Sequence, residues 1–116
     1  MRIWIALAFV GWMLLAAIPM SLAASGKGNP TTGQKLYHES CQNCHGPTGK
    51  GDSEMAAYLT PAPANLTSKA TQEKTDAQLR KVIQEGRPGT AMTGYAAAFD
   101  EEKLDDMIAY IRSLKP

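Results

Sequence analysis

Past residue 24 this chain has no tryptophan and a single phenylalanine, and over its full length it has only two cysteines. Bulky apolar side chains are therefore scarce in the part that must fold. A domain this short buries too little of its own surface to be secure without a disulfide, a metal or a cofactor. Two cysteines exclude the multi-bridge framework that holds many small secreted domains together. An excess of one charge is missing too: 12 Lys and Arg stand against 11 Asp and Glu. That balance leaves no basic face for nucleic acid and no charged tail. Nowhere do β-branched residues alternate with polar ones at a period of two, so a sheet-built domain is not expected. The class that remains is all-α, and 116 residues are one domain's worth.

The first stretch stands apart from the rest. Arg2 is the only charge before Lys27, Ile3 to Ile18 is almost wholly apolar, Pro19 breaks the run, and Ser21-Leu22-Ala23-Ala24 offers small residues for cleavage. A basic start, an apolar middle and a small-residue end form a secretory signal. Residues 1–24 are read as a signal peptide and 25–116 as the mature domain, exported to the periplasm. An uncleaved anchor is the alternative, because 3–24 is long enough to span a bilayer, which takes about 20 residues. Only in that case is a membrane a partner. The mature domain keeps three methionines: Met55, Met92 and Met107.

Three main helices are expected. The first runs from about Gly33 to Cys44, capped by Thr31 or Thr32, whose hydroxyl accepts a free backbone N–H. Gly46 to Asn65 carries three glycines and three prolines and reads as loop, with a short helical turn near Glu54–Tyr58. Thr75-Asp76-Ala77-Gln78 has the capping-box form, and Leu79, Val82 and Ile83 follow on one face. Gly86 ends that helix and Pro88 prevents its resumption. A second loop, Arg87 to Phe99, carries Met92. Asp100 then caps the last helix, where Leu104, Met107, Ile108, Ile111 and Leu114 form one apolar stripe. Loops this long count against a small domain unless they wrap a large apolar ligand.

Cys41-Gln42-Asn43-Cys44-His45 has the form C-x-x-C-H, the attachment sequence for c-type haem. Two thiols separated by two residues at a helix end can each add across one of the two vinyl groups of the porphyrin. The adjacent His45 then brings an imidazole nitrogen to the iron. Three plainer readings compete. A Cys41–Cys44 disulfide would close a tiny loop with little entropic gain. A thioredoxin-like pair needs a βαβ setting that is absent. Zinc has four candidate ligands in His38, Cys41, Cys44 and His45, but they are crowded together, whereas structural zinc sites draw pairs from separated segments.

The opposite face of the iron needs its own ligand. A Met thioether opposite His is the ligation of electron-transfer cytochromes and raises the reduction potential. Met107 belongs to the stripe of the last helix and reads as core. Met55 lies too close in sequence to His45 to reach round. Met92, in a loop far along the chain, is the candidate, against the alternative that it only fills a gap in the core. His38 is the lesser alternative, as a second histidine ligand, but it lies on the same helix as Cys41 and is expected at the surface.

With these segments in order, the chain resembles the bacterial class I cytochromes c. The resemblance rests on Cys41–His45 with Gly46, Gly49-Lys50-Gly51-Asp52, Pro61-Ala62-Pro63-Ala64-Asn65-Leu66, Gly89-Thr90-Ala91-Met92 and Ala109-Tyr110-Ile111-Arg112-Ser113-Leu114. It covers nearly all of the mature chain. It implies a cytochrome c fold, three main helices and long loops around one covalent haem c, with the first and last helices crossing at Gly33, Tyr37 and Tyr110. It also implies that a proline carbonyl, of Pro61 or Pro63, accepts a bond from His45 Nδ1–H and so fixes the ring. Two departures stand out. Thr93 follows Met92 where the family usually has proline, which leaves that loop less rigid. No tryptophan is available for a haem propionate, and Arg87, Gln84 and Tyr95 are the candidates to replace it.

The function expected is electron transfer by a haem bound through Cys41 and Cys44 with His45 and Met92 as axial ligands, not enzymatic turnover. Redox protein partners would dock transiently at the haem edge. One alternative is a haem subunit of a larger oxidoreductase. Another is a five-coordinate haem enzyme acting on a small ligand such as peroxide, for which no distal His or Arg is marked by any motif.

Overall fold

The computed structural model describes residues 28–116, so the leader assigned to 1–24 lies outside the described residues. The elements are α1 (Pro30–Ser40), α2 (Gln42–His45), a 3₁₀ turn (Met55–Tyr58), α3 (Lys69–Gln72), α4 (Asp76–Glu85) and α5 (Glu101–Ser113). Among the described residues there is no strand, and no helix is long and apolar enough to cross a membrane. The architecture is all-α, as the composition requires.

Helix α1 differs from expectation at both ends. Its cap is Asn29, not Thr31 or Thr32: the Asn29 Oδ1 accepts from the N–H of Thr31 at 2.9 Å and of Thr32 at 3.3 Å. Pro30 takes the first helical position, where its missing N–H costs nothing and its fixed φ suits the turn. At the other end the helix breaks at Cys41, where φ opens to −119°, before one further turn carries Gln42 to His45. Helix α3, capped by Ser68, is a short turn that the loop-like composition around it did not announce. Helix α4 has the expected capping box, Thr75 bonding to the Gln78 backbone and Gln78 to the Thr75 backbone. Asp100 caps α5 as expected, accepting from Lys103 N–H at 2.9 Å.

α1 crosses α5 where a glycine permits it. A Cβ built on Gly33 would lie 1.9 Å from the Asp106 carbonyl oxygen, so only glycine allows the two backbones so close. Beside it Tyr37 is fully buried, its ring centroid 5.1 Å from that of Tyr110. The Tyr37 hydroxyl donates to the Gly46 carbonyl at 2.5 Å, which ties the crossing to the residue after His45. Asp106, also buried, accepts the Asn29 N–H at 2.5 Å and so anchors the start of α1 to α5.

The stripe of α5 is buried as its spacing dictates. Leu104, Met107, Ile108 and Ile111 join Leu79 and Ile83 of α4 in one core with Tyr37, Tyr110 and Phe99. Each such side chain contributes about 1.5–3 kcal/mol on leaving water. Arg112 then joins α5 to the turn ahead of α4. Its guanidinium donates to the Gln72 carbonyl at 2.8 Å, to the Lys74 carbonyl, and to the Asp76 carboxylate at 2.8 Å. Arg80 of α4 pairs with Glu101 and Asp105 of α5.

Candidate functional site

Cys41, Cys44 and His45 end the α1–α2 segment and face a cavity walled on the far side by the loop that carries Met92. The cavity has two chambers. One, open to solvent and lined in part by Ser40, Leu59, Pro61 and Thr93, spans about 690 Å³ with the solvent at its mouth included. The inner one, bordered by core residues such as Leu79, Ile83, Met107 and Ile111, spans about 590 Å³, again with open solvent included. Cys41, His45, Ala64, Arg87 and Met92 line both, so the chambers are continuous. Of the segments singled out in the sequence, those around Cys41–His45, Pro61–Leu66 and Thr90–Met92 line this cavity, Ile111 of 109–114 lines its second chamber, and Gly49–Asp52 lines neither.

The imidazole of His45 is held by its Nδ1, 2.9 Å from the Ala64 carbonyl. A carbonyl can only accept, so Nδ1 carries the proton and Nε2 keeps a free lone pair. The acceptor is therefore Ala64, where the resemblance implied Pro61 or Pro63. Gly51, whose φ is +73°, packs against the same stretch: a Cβ there would sit 2.5 Å from the Pro63 carbonyl oxygen and 3.3 Å from that of Ala64. Pro61 and Pro63 still line the outer chamber. Burial pushes the His45 imidazole below its ordinary pKa; the Ala64 bond works against that shift and the Arg87 guanidinium adds to it. A neutral ring with a free Nε2 is the form that ligates a metal.

Cys41 and Cys44 are half-buried and not joined to each other. Burial, and then the neighbouring Cys44, pushes the Cys41 thiol up to about 11, which disfavours a bare thiolate there. His38 lies elsewhere: it is exposed on α1, edge-on to Tyr37, and its Nδ1 meets the Gln42 side chain. Among the described residues no cluster of three or more His, Cys, Asp or Glu side chains is set to hold a metal ion.

The Met92 loop is laced back to α4. Arg87 N–H donates to the Met92 carbonyl at 3.0 Å, Tyr95 N–H to Ile83 at 2.9 Å and Ala96 N–H to Gln84 at 3.2 Å. Gly86, with φ +71°, lets the strap lie close, since a Cβ there would be 2.5 Å from the Met92 carbonyl oxygen. Thr93 in place of proline therefore does not leave the loop unsupported. Tyr95 stacks on Phe99 with ring centroids 5.2 Å apart and donates its hydroxyl to the Ser40 carbonyl at 2.9 Å. That bond joins the Met92 loop to the residue before Cys41. Met55 is exposed and away from the cavity, whereas Met107 is fully buried and touches the inner chamber from the core.

The profile of the family described as Cytochrome c matches residues 30–115. The chain belongs to the cytochrome c family. It is 33% identical over 90 residues to cytochrome c-554(547) of Halothiobacillus neapolitanus, covering 76% of this chain and 99% of that one. It is also 33% identical over 100 residues to the dihydro-heme d1 dehydrogenase of Pseudomonas aeruginosa, covering 86% of this chain but only 18% of the dehydrogenase. In fold it is similar to a chain of the reducing HAO-like protein complex of Kuenenia stuttgartiensis, with a TM-score of 0.67 at 24% identity, over 77% of this chain and 44% of that one. Cytochrome c domains bind haem c covalently and use it for electron transfer, alone or within larger complexes. The cavity suits that group. It presents two unjoined thiols, a neutral imidazole, the thioether of Met92 and a largely apolar lining with Arg87 and Lys74 but without a single Asp or Glu.

Two features escaped sequence reasoning. A backbone acceptor such as Ala64 has no side-chain signature, and the Tyr95–Ser40 bond spans 55 residues of chain with no local pattern to mark it.

Proposed function

We propose that this cytochrome c domain is a one-electron carrier outside the cytoplasm, with His45 and Met92 as the axial ligands of a haem attached through Cys41 and Cys44. Once attached, haem c supplies the exchange of one electron between ferrous and ferric iron. Cys41 and Cys44 hold the porphyrin at the mouth of the cavity by two thioether bonds. His45 presents Nε2 with its ring fixed by Ala64, which orients the ligand and strengthens it. Met92 would offer a soft sulfur from the same cavity, and the largely apolar lining would surround the porphyrin; both favour the reduced state. His45 and Met92 would be the residues that hold the iron, and ligation by both would leave it to exchange electrons and not to bind a substrate. The observation that carries this reading is that Cys41, Cys44, His45 and Met92 line the same cavity.

The test is a pair of spectra. The ferric protein is expected to show the weak long-wavelength absorption of a Met sulfur on iron. Met92→Ala is expected to abolish that band and to admit carbon monoxide to the ferrous form. Wild-type protein that lacks the band and takes up carbon monoxide rapidly would instead indicate a five-coordinate site and an enzyme.

A second reading, a haem subunit of a larger oxidoreductase, is supported by one observation. The chain spans about a fifth of the Pseudomonas dehydrogenase it matches, so a unit like this one also exists as part of a larger protein. Gel filtration of protein from its native host separates the two: a carrier elutes alone, and a subunit elutes with its partner. In either setting the reading of residues 1–24 as an export signal favours a place in the periplasm.

A further inference from the structure

A helix ends with carbonyls that no further turn can bind. At the end of α2 three donors from outside the helix take them up in succession. Ser53 Oγ donates to the Cys44 carbonyl at 2.9 Å, Gly51 N–H to the His45 carbonyl at 2.7 Å, and the Tyr37 hydroxyl to the Gly46 carbonyl at 2.5 Å. Tyr37 belongs to the α1–α5 crossing, whereas the other two donors come from one stretch, Gly51-Asp52-Ser53. The same stretch packs against the acceptor of the His45 ring, since a Cβ on Gly51 would lie 3.3 Å from the Ala64 carbonyl oxygen. The backbone of His45 and the carbonyl that fixes its imidazole are thus both set against residues 51–53.

Ser53 joins the two sides. A hydroxyl has one proton to give, and here it goes to the Cys44 carbonyl. Its oxygen also accepts the Ala56 N–H at 3.0 Å, at the start of the 3₁₀ turn Met55–Tyr58. From that turn the chain runs through Leu59 to Ala64. A serine needed only to start the turn would make the bond to Ala56 and not the one to Cys44, nine residues back along the chain. We propose that Ser53 is a positioning residue for His45. Its two bonds hold the end of α2 and the segment leading to Ala64 at one separation, so that the imidazole Nδ1–H meets the Ala64 carbonyl and Nε2 is left to face the cavity. Neither Ser53 nor Gly51 lines a chamber, so the effect is transmitted through the Cys44–His45 backbone.

This inference rests on the haem reading above, and its test separates the two. Exchange of the His45 Nδ1–H with deuterium from solvent is followed by NMR in ferrous, haem-loaded wild type, Ser53→Ala, Ser53→Thr and Thr75→Ala. The last removes the cap of α4 and touches neither chamber. Ser53→Ala is expected to speed exchange about tenfold, as for one hydrogen bond lost from a local opening. Ser53→Thr, which keeps the hydroxyl, should stay within about twofold of wild type, and so should Thr75→Ala, which lowers stability elsewhere. Exchange unchanged in Ser53→Ala, or speeded equally in Thr75→Ala, would overturn the proposal; with haem attached and the Met–iron band intact, the haem reading would stand. If Ser53→Ala does not mature, native-state exchange of the wild type in rising denaturant decides. Ala56 N–H and His45 Nδ1–H opening together supports the proposal, and Ala56 N–H opening while Nδ1–H stays protected refutes it. Failure of the wild type to attach haem removes both, because His45 would then have no iron to be positioned for.

Discussion

On the His45 wall of the cavity, both thiols and the imidazole come from five consecutive residues, and one bond to Ala64 completes the arrangement. On the Met92 wall a single sulfur is carried by a loop whose order comes from backbone bonds to α4 and from the Tyr95 hydroxyl reaching Ser40. The first wall is a local motif backed by the buried α1–α5 crossing. The second is a tertiary product with exposed residues on most of its length. Local openings follow exposed hydrogen bonds and sparse burial, so the Met92 wall should open before the His45 wall. A carrier built this way would keep its haem through fluctuations that break the iron–sulfur bond.

The largest effect expected is on the His45 wall. Cys41→Ser combined with Cys44→Ser removes covalent attachment and leaves an unfilled cavity in a domain short of core. The double variant should lack cooperative unfolding, which far-UV circular dichroism on heating will report; a sharp native-like transition would contradict this. Next comes the crossing behind that wall. Gly33→Val forces a side chain into the Asp106 backbone and should destabilise the holoprotein by about 3 kcal/mol in guanidinium titrations.

Smaller effects should be confined to the Met92 wall. Tyr95→Phe loses the bond to Ser40 and should cost about 1–1.5 kcal/mol. It should also speed displacement of Met92 by added imidazole in the ferric protein, with haem attachment unaffected. An unchanged displacement rate would mean that Tyr95 does not hold the wall. Smallest is Thr75→Ala, which removes the capping box of α4 at a cost of about 0.5–1 kcal/mol. Because Thr75 touches neither wall, the midpoint potential should not move.

The contrast between the walls also explains what could be read in advance. The chemistry of Cys41, Cys44 and His45 was legible because spacing along the chain is itself the geometry. The apolar stripe of α5 and the capping box of α4 were legible for the same reason, since helical periodicity is local. Met92 could be proposed as a ligand only from its place in a loop far along the chain and by setting aside Met55 and Met107, and the structure adds that it lines the same cavity as His45. The cap of α1 was misjudged because Thr31 and Thr32 compete with Asn29 for the same role, and Pro30 decides in favour of Asn29. The acceptor for His45 was missed by one residue because any backbone carbonyl can serve and none carries a side-chain signature.

The most direct measurement is the intact mass of protein matured in a host able to attach haem, combined with a thiol titration. A mass raised by one porphyrin together with no titratable thiol is the predicted result. A bare polypeptide mass with both Cys41 and Cys44 free, or joined to each other, would contradict the account.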